Sequence, residues 1–178
     1  MMNHRQLSLA VLYAACLLGA SCHPNRPDAP AIQQLYAGTM SNSVYHANCS
    51  CSVALNTYKG HDYIDGECRI WGGSRVLHNG ESYEIEGFKK GTAIQFVNVP
   101  SALTRGVASA WTGKQVQRAV DSLYKTNKRM GEEATKFSGR LSGSTLSGTW
   151  ISELSATDRQ NNPGTASTQY GSFSLKRQ

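Results

Sequence analysis

Proline is scarce in this 178-residue chain, 5 in all, and aromatic residues make up only 8 %. That aromatic content still suffices for one core, in one domain. The motifs of common chemistries are missing. No nucleophile elbow frames a serine. No Walker loop, dinucleotide fingerprint or metalloprotease helix occurs. No two carboxylates pair into a credible acid/base site, so the chain reads as non-enzymatic, with no cofactor implied. Basic residues do not run together between exposed aromatics, which argues against nucleic acid as a partner. The net charge is +6. Arg5 is the only charge before Cys22, so residues 22–178 carry 17 − 12 = +5. That excess favours an anionic surface only weakly.

Glycine, by contrast, is plentiful at 17. The organising stretch is Phe137 to Trp150, Phe-Ser-Gly-Arg-Leu-Ser-Gly-Ser-Thr-Leu-Ser-Gly-Thr-Trp. Phe137, Gly139, Leu141, Leu146, Gly148 and Trp150 alternate with Ser, Arg and Thr. A period of two with one polar face is a half-buried antiparallel strand. Ser142 to Thr145 break the run, which makes it a hairpin. The same spacing recurs in Ile85, Gly87, Gly91, Ile94 and Phe96. A turn on Lys90-Gly91 places Ile85 opposite Phe96 and Gly87 opposite Ile94. Gly66, Gly87, Gly139, Gly148 and Gly171 fall on inward positions, where missing side chains let strands curl toward a barrel. Asn79-Gly80 marks another hairpin, joining Arg75–His78 to Ser82–Phe88. Gln33–Met40 opens the strand series, Pro100 ends its middle part, and Tyr170–Arg177 closes it.

One helix interrupts the strands, capped by Thr112 and ended by Gly131. Val116, Ala119, Val120, Leu123 and Tyr124 share one face. Lys114, Arg118, Lys125 and Arg129 lie opposite. The apolar stripe should pack over a barrel end or side. The basic stripe is a solvated face or a contact for an anionic envelope component. Ser155 to Gln169 reads as a long polar loop.

The N-terminus reads as a targeting segment. Arg5 precedes Leu7 to Ala20, 14 uncharged residues, long enough for a signal core and too short to span a bilayer. The segment ends Leu18-Gly19-Ala20-Ser21-Cys22, which resembles the lipobox of bacterial lipoproteins. The resemblance implies removal of residues 1–21 and a diacylglycerol on the Cys22 sulfur. Residues 22–32, with Pro24, Pro27 and Pro30, then form a tether, and residues 33–178 the barrel domain. His23 differs from the Asp that resembles an inner-membrane retention signal. The expected location is therefore the cell envelope, held to a membrane by lipid, with the outer membrane favoured over the inner.

Cys49, Cys51, Val53 and Leu55 alternate along one strand, and Ile64, Gly66, Cys68 and Ile70 along the next. A turn centred on Lys59-Gly60 pairs Leu55 with Ile64, Val53 with Gly66 and Cys51 with Cys68. The two cysteines then fall on a non-hydrogen-bonded pair, with Cα atoms about 4.5 Å apart, within reach of a disulfide. Export permits oxidation. Cys49 is left as a buried thiol. The rival reading is a metal site of Cys49, Cys51 and Cys68 with His46 or His61. Parity turns His46 away, and His61 lies on the order of 20 Å along the strand from Cys68. No metal is expected.

The expected fold is all-β, an antiparallel barrel or strongly curled meander of about eight strands with one amphipathic helix. The hairpin unit and Gly148-Thr149-Trp150 resemble the calycin class, the lipocalin and avidin sort of barrel. Eight-stranded barrels hold packed side chains or one small ligand. Two functions follow. In one, an apolar small molecule binds beside Phe96, Phe137, Leu141, Trp150 and Phe173. In the other, the core is filled, and loops or the basic helix face meet an envelope partner.

Overall fold

The computed structural model describes residues 31–72, 80, 82–99, 114–130, 133–161 and 163–178. The signal segment, Cys22, residues 22–30 of the tether, the Arg75–His78 strand, Asn79, Pro100, and the helix ends Thr112 and Gly131 lie outside them. Eight antiparallel strands close into one barrel in chain order. They are β1 (Ala31–Asn42), β2 (Ala47–Tyr58), β3 (Tyr63–Trp71), β4 (Ser82–Lys90), β5 (Ala93–Asn98), β6 (Ala134–Ser142), β7 (Thr145–Glu153) and β8 (Thr168–Arg177). The fold is the all-β barrel that the alternation predicts. β1 pairs with both β2 and β8, so no strand edge remains open.

The organising hairpin forms as read. Phe137 faces Trp150, Gly139 faces Gly148, and Leu141 faces Leu146. Gly143, with φ +58°, opens the two-residue turn. The inward glycines let neighbouring strands crowd together. A Cβ on Gly148 would run into the carbonyl oxygen of Ser138, and one on Gly171 into that of Ser41. The rings of Phe173 and Trp150 reach over Gly139 and Gly171 and fill the space those glycines leave.

Two registers differ from expectation, each by two residues. In β2–β3, Leu55 faces Gly66, Val53 faces Cys68, and Cys51 faces Ile70. Tyr58 O does accept from His61 N (3.1 Å) as a tight turn requires. His61 and Asp62 then pass before β3 begins, which moves every partner along by two. In β4–β5, Gly87 faces Phe96 and Lys89 faces Ile94, because the turn sits on Gly91-Thr92, with Gly91 at φ +60°. A shift of two preserves which face is buried, so the inward set is unchanged.

The interior packs as one cluster that runs from Tyr36 and Met40 on β1 to Phe173 and Leu175 on β8. The helix α1 (Lys114–Met130) lies on the outside of the wall, against β4, β5 and β6. Val116, Val120, Leu123 and Tyr124 pack there on outward Phe88, Val97 and Val99, with Ala119 partly buried. The helix therefore covers a side of the barrel. Lys114, Arg118, Lys125 and Arg129 are exposed. The expected polar loop over 155–169 contains a short helix, α2 (Ala156–Asn161), and the first residues of β8.

Candidate functional site at the barrel mouth

Four of the five residues read as ligand-binding meet at the waist of the barrel. The Phe96 and Phe137 rings stack with centroids 4.7 Å apart, and Phe173 meets Phe137 edge-on at 5.6 Å. Trp150 joins the same cluster, and its Nε1 donates to Ser41 O at 2.9 Å. Leu141 packs against the same cluster from the turn end and is only partly buried. Phe96 and Phe137 are stacked and Phe173 meets Phe137 edge-on, so aromatic side chains occupy this part of the interior.

The register shows what lies beyond the rings. Gly171, Trp150, Phe137 and Phe96 are successive partners across β8, β7, β6 and β5. Two residues nearer the end where β1 finishes, the same pairings run Gln169, Ser152, Thr135 and, by extension of the β5–β6 register, Asn98. All four are buried. A polar row thus stands directly over an aromatic row. Asn42, at the end of β1, completes it. Its Nδ2 donates to Gln169 Oε1 at 2.7 Å, while its Oδ1 accepts from Val44 N and Tyr45 N.

The row is bonded along most of its length. Thr135 Oγ1 and Ser152 Oγ lie 2.8 Å apart and reach Glu133 Oε1 at 2.7 and 2.9 Å. Asn98 Oδ1 accepts from Thr135 N at 2.8 Å, and its Nδ2 donates to Glu133 O at 2.9 Å. From the helix, fully buried Asn127 donates through Nδ2 to Asn98 O at 3.0 Å. That bond ties α1 to the mouth. Gln169 Nε2 is buried with no hydrogen-bond partner among the described residues, and Tyr83 Oη, also buried, has the Cys68 thiol beside it. Gln169 is only 2 % exposed. A buried amide donor without an acceptor costs about 1–3 kcal/mol. Burial raises the Tyr83 phenol well above its ordinary value, helped by Cys68 and Glu133 nearby. It therefore stays a neutral donor and acceptor.

The expected Cys51–Cys68 disulfide is not formed. The register shift puts the two on a diagonal, and their sulfurs stand 4.0 Å apart, against about 2.05 Å in a bond. Cys49, Cys51 and Cys68 are all free and buried. Cys49 Sγ donates to Met40 O at 3.3 Å. Burial, with Cys68 close by, pushes the Cys49 thiol up to about 11. The bond to Cys68 and burial push Cys51 up as well. Both stay protonated. Among the described residues, no group of three His, Cys, Asp or Glu side chains is placed to hold a metal.

A second polar cluster lies on the outward side of β3 and β4. Asp65 and Glu86 are cross-strand partners, each 1 % exposed. Asp65 accepts from Asn56 Nδ2 at 2.8 Å and Tyr58 Oη at 3.1 Å, and Tyr63 Oη reaches Glu86 Oε1 at 3.2 Å.

The polar row escaped the sequence reading, which followed only large apolar residues and glycines. The signal was present. Continuing each alternation one step from Trp150, Phe137, Phe96 and Gly171 lands on Ser152, Thr135, Asn98 and Gln169.

No protein-family model matches the chain, and no characterised protein sequence does. Among solved structures, the short afifavidin–biotin complex aligns with 85 % of this chain and 92 % of its own, at 14 % identity and a TM-score of 0.47. The rhizavidin–biotin complex aligns with 86 % and 97 %, at 9 % identity and 0.47. The bradavidin2–biotin complex aligns with 85 % and 99 %, at 14 % identity and 0.46.

Proposed function

We propose that the barrel is a non-enzymatic binding protein that takes one small molecule end-on at its polar mouth. A polar head that can accept a hydrogen bond meets Gln169 Nε2. An apolar body lies toward the Trp150 and Phe173 rings. The observation that carries this reading is the Gln169 amide, buried and, among the described residues, bonded on its oxygen side only. Stacked Phe96 and Phe137 rings lie at the waist below. The ligand therefore sits at the mouth, and its head, more than its tail, sets specificity. We also propose that export and acylation at Cys22 hold the barrel at a bacterial membrane. The lipobox-like segment and the three-proline tether support that location.

Native mass spectrometry of the purified protein, followed by organic extraction, tests the binding. A discrete mass of small-molecule size should accompany the wild type and be lost in Gln169→Ala. A wild type without any bound mass, in material never exposed to denaturant, would overturn the reading. A second reading has its own observation, the mutually packed Phe96, Phe137 and Phe173. If the mouth is filled only by water, the barrel is a rigid platform for an envelope partner.

A further inference from the structure

Charge is unevenly placed between the two ends of the barrel. At the end away from the mouth, short turns join β2 to β3, β4 to β5 and β6 to β7, and β8 finishes beside the first half of β1. Each of these places carries cations. They are Lys59, then Lys89 and Lys90, then Arg140, then Lys176 and Arg177. Lys89 is half-buried and the other five are exposed. Asp62 is the one carboxylate side chain in these turns. Asp65 and Glu86, next along the wall, are each only 1 % exposed. Among the described residues the ion pairs are Lys128–Glu153 and Lys136–Asp121, both at α1, so none of the six cations has a carboxylate partner there. The six exceed Asp62 by as much as the whole excess of residues 22–178, +5. The rest of the chain is therefore neutral on balance, and a field of one sign builds up at this end. The mouth end mixes signs, with Arg69, Lys128 and Arg129 beside Glu84, Glu133 and Glu153. The helix adds to the polarity. Asn127 and Lys128 are bonded at the mouth, to Asn98 and Glu153, so α1 starts toward the other end with exposed Lys114.

The chain enters the barrel at this same basic end. Ala31, the first residue of β1, pairs with Tyr58, which adjoins Lys59. Ile32 follows at the rim and is 57 % exposed. Cys22 stands nine residues before Ala31, a stretch that spans at most about 32 Å when fully extended.

We propose that the basic end is a docking surface and that its occupant is the anionic headgroup layer of the membrane that holds Cys22. This rests on the acylation proposed above. Charge complementarity and the exit point of the tether both favour that occupant. Cations attract anionic headgroups across about a Debye length, ~10 Å at 0.1 M salt. A tether that leaves from the basic end brings that end to the bilayer first. An exposed isoleucine among cations suits a surface whose apolar side chains enter the headgroup layer. The mouth then opens away from the membrane, and its ligand arrives from the aqueous side.

Flotation and lysine labelling on the purified full-length protein test this. The vesicles are phosphatidylcholine alone, or with about 30 % phosphatidylglycerol to supply the surface potential. Brief acetylation is read lysine by lysine through peptide mass spectrometry. The potential that draws a cation also holds its proton, so Lys59, Lys90 and Lys176 should react about fivefold more slowly on the anionic vesicles. Lys125, exposed on α1, should keep its rate. In about 1 M salt, where screening acts over about 3 Å, the difference should vanish. Lys90→Gln combined with Lys176→Gln should reduce the protection of Lys59. Equal rates on the two kinds of vesicle, or equal slowing at Lys125, would overturn the proposal. Loss of the anchor reads differently. A lipid-free chain that floats only with the anionic vesicles and protects the three lysines keeps this surface and removes the acylation. A chain that floats with neither overturns both.

Discussion

Replacing Gly139 or Gly148 by valine should break the barrel where its strands come closest. The Cβ of residue 139 would press on the Ser147 carbonyl oxygen and stand 3.0 Å from Phe173 Cζ. That of residue 148 would strike the Ser138 carbonyl oxygen. The oxygens belong to paired strands and cannot retreat without opening the ladder between β6 and β7. Overpacking alone costs about 1–3 kcal/mol, and each lost ladder bond about 1 kcal/mol more. A total near 3 kcal/mol, with a urea slope of about 2 kcal/mol/M, moves the midpoint down by about 1.5 M. Ser138 and Ser147 are the outward neighbours of these glycines. Valine there suits a strand and should change stability by less than about 0.5 kcal/mol. Urea unfolding followed by fluorescence reads all four. Equal losses at inward and outward sites would refute both the facing and the account of why the glycines are there.

The free thiols make a pH prediction. Cys49 has its folded value raised to about 11. Below the unfolded value, near 8.5, its contribution is fully present. As pH rises from there through about 11, the unfolded chain gives up the proton first and stability should fall. Urea midpoints from pH 7 to 11, compared with Cys49→Ala, check this, and a flat difference would contradict it. All three cysteines should resist a thiol reagent in the folded state and react together on unfolding. Leu123→Ala, beneath α1, should cost about 2–4 kcal/mol by thermal melting, whereas Arg118→Ala on the exposed side should cost almost nothing. Cys22→Ala should leave an unprocessed precursor that takes up no fatty-acid label. Normal processing to a lipid-free form would remove the anchor from the account.

Much of this fold was legible because a period of two needs no tertiary knowledge. Every inward residue read from the alternation in β2, β3 and β5–β8 is inward in the barrel. Register was harder, since it depends on where a turn closes. At β2–β3, His61 and Asp62 extend the loop in a way no local pattern announces. At β4–β5 the answer lay in the internal repeat. Gly87 and Gly91 stand 52 before Gly139 and Gly143, and with that offset the Gly143 turn maps onto Gly91-Thr92, as found. The disulfide was lost to the first of these slips. The polar mouth was missed for a different reason. Asn98, Thr135, Ser152 and Gln169 look like strand ends dissolving into loop, and only closure of the barrel buries them. The apolar stripe of α1 was evident, but whether it covers an end or a side is set by outward Phe88, Val97 and Val99, which look anomalous in a two-faced strand until the helix is placed.

On the proposed function, the mouth holds a small molecule on the side of Gln169 that faces no described partner. The side-chain amide signals of Gln169 and Asn42 and the indole signal of Trp150, in a nitrogen-15 correlation spectrum, test it most directly. Spectra would be taken before and after the bound molecule is stripped by unfolding and refolding. The Gln169 amide and the Trp150 indole should shift on stripping and return when the organic extract is added back, while amides along α1 from Lys114 to Lys125 hold still. Mouth signals that are identical in stripped and unstripped protein would contradict it.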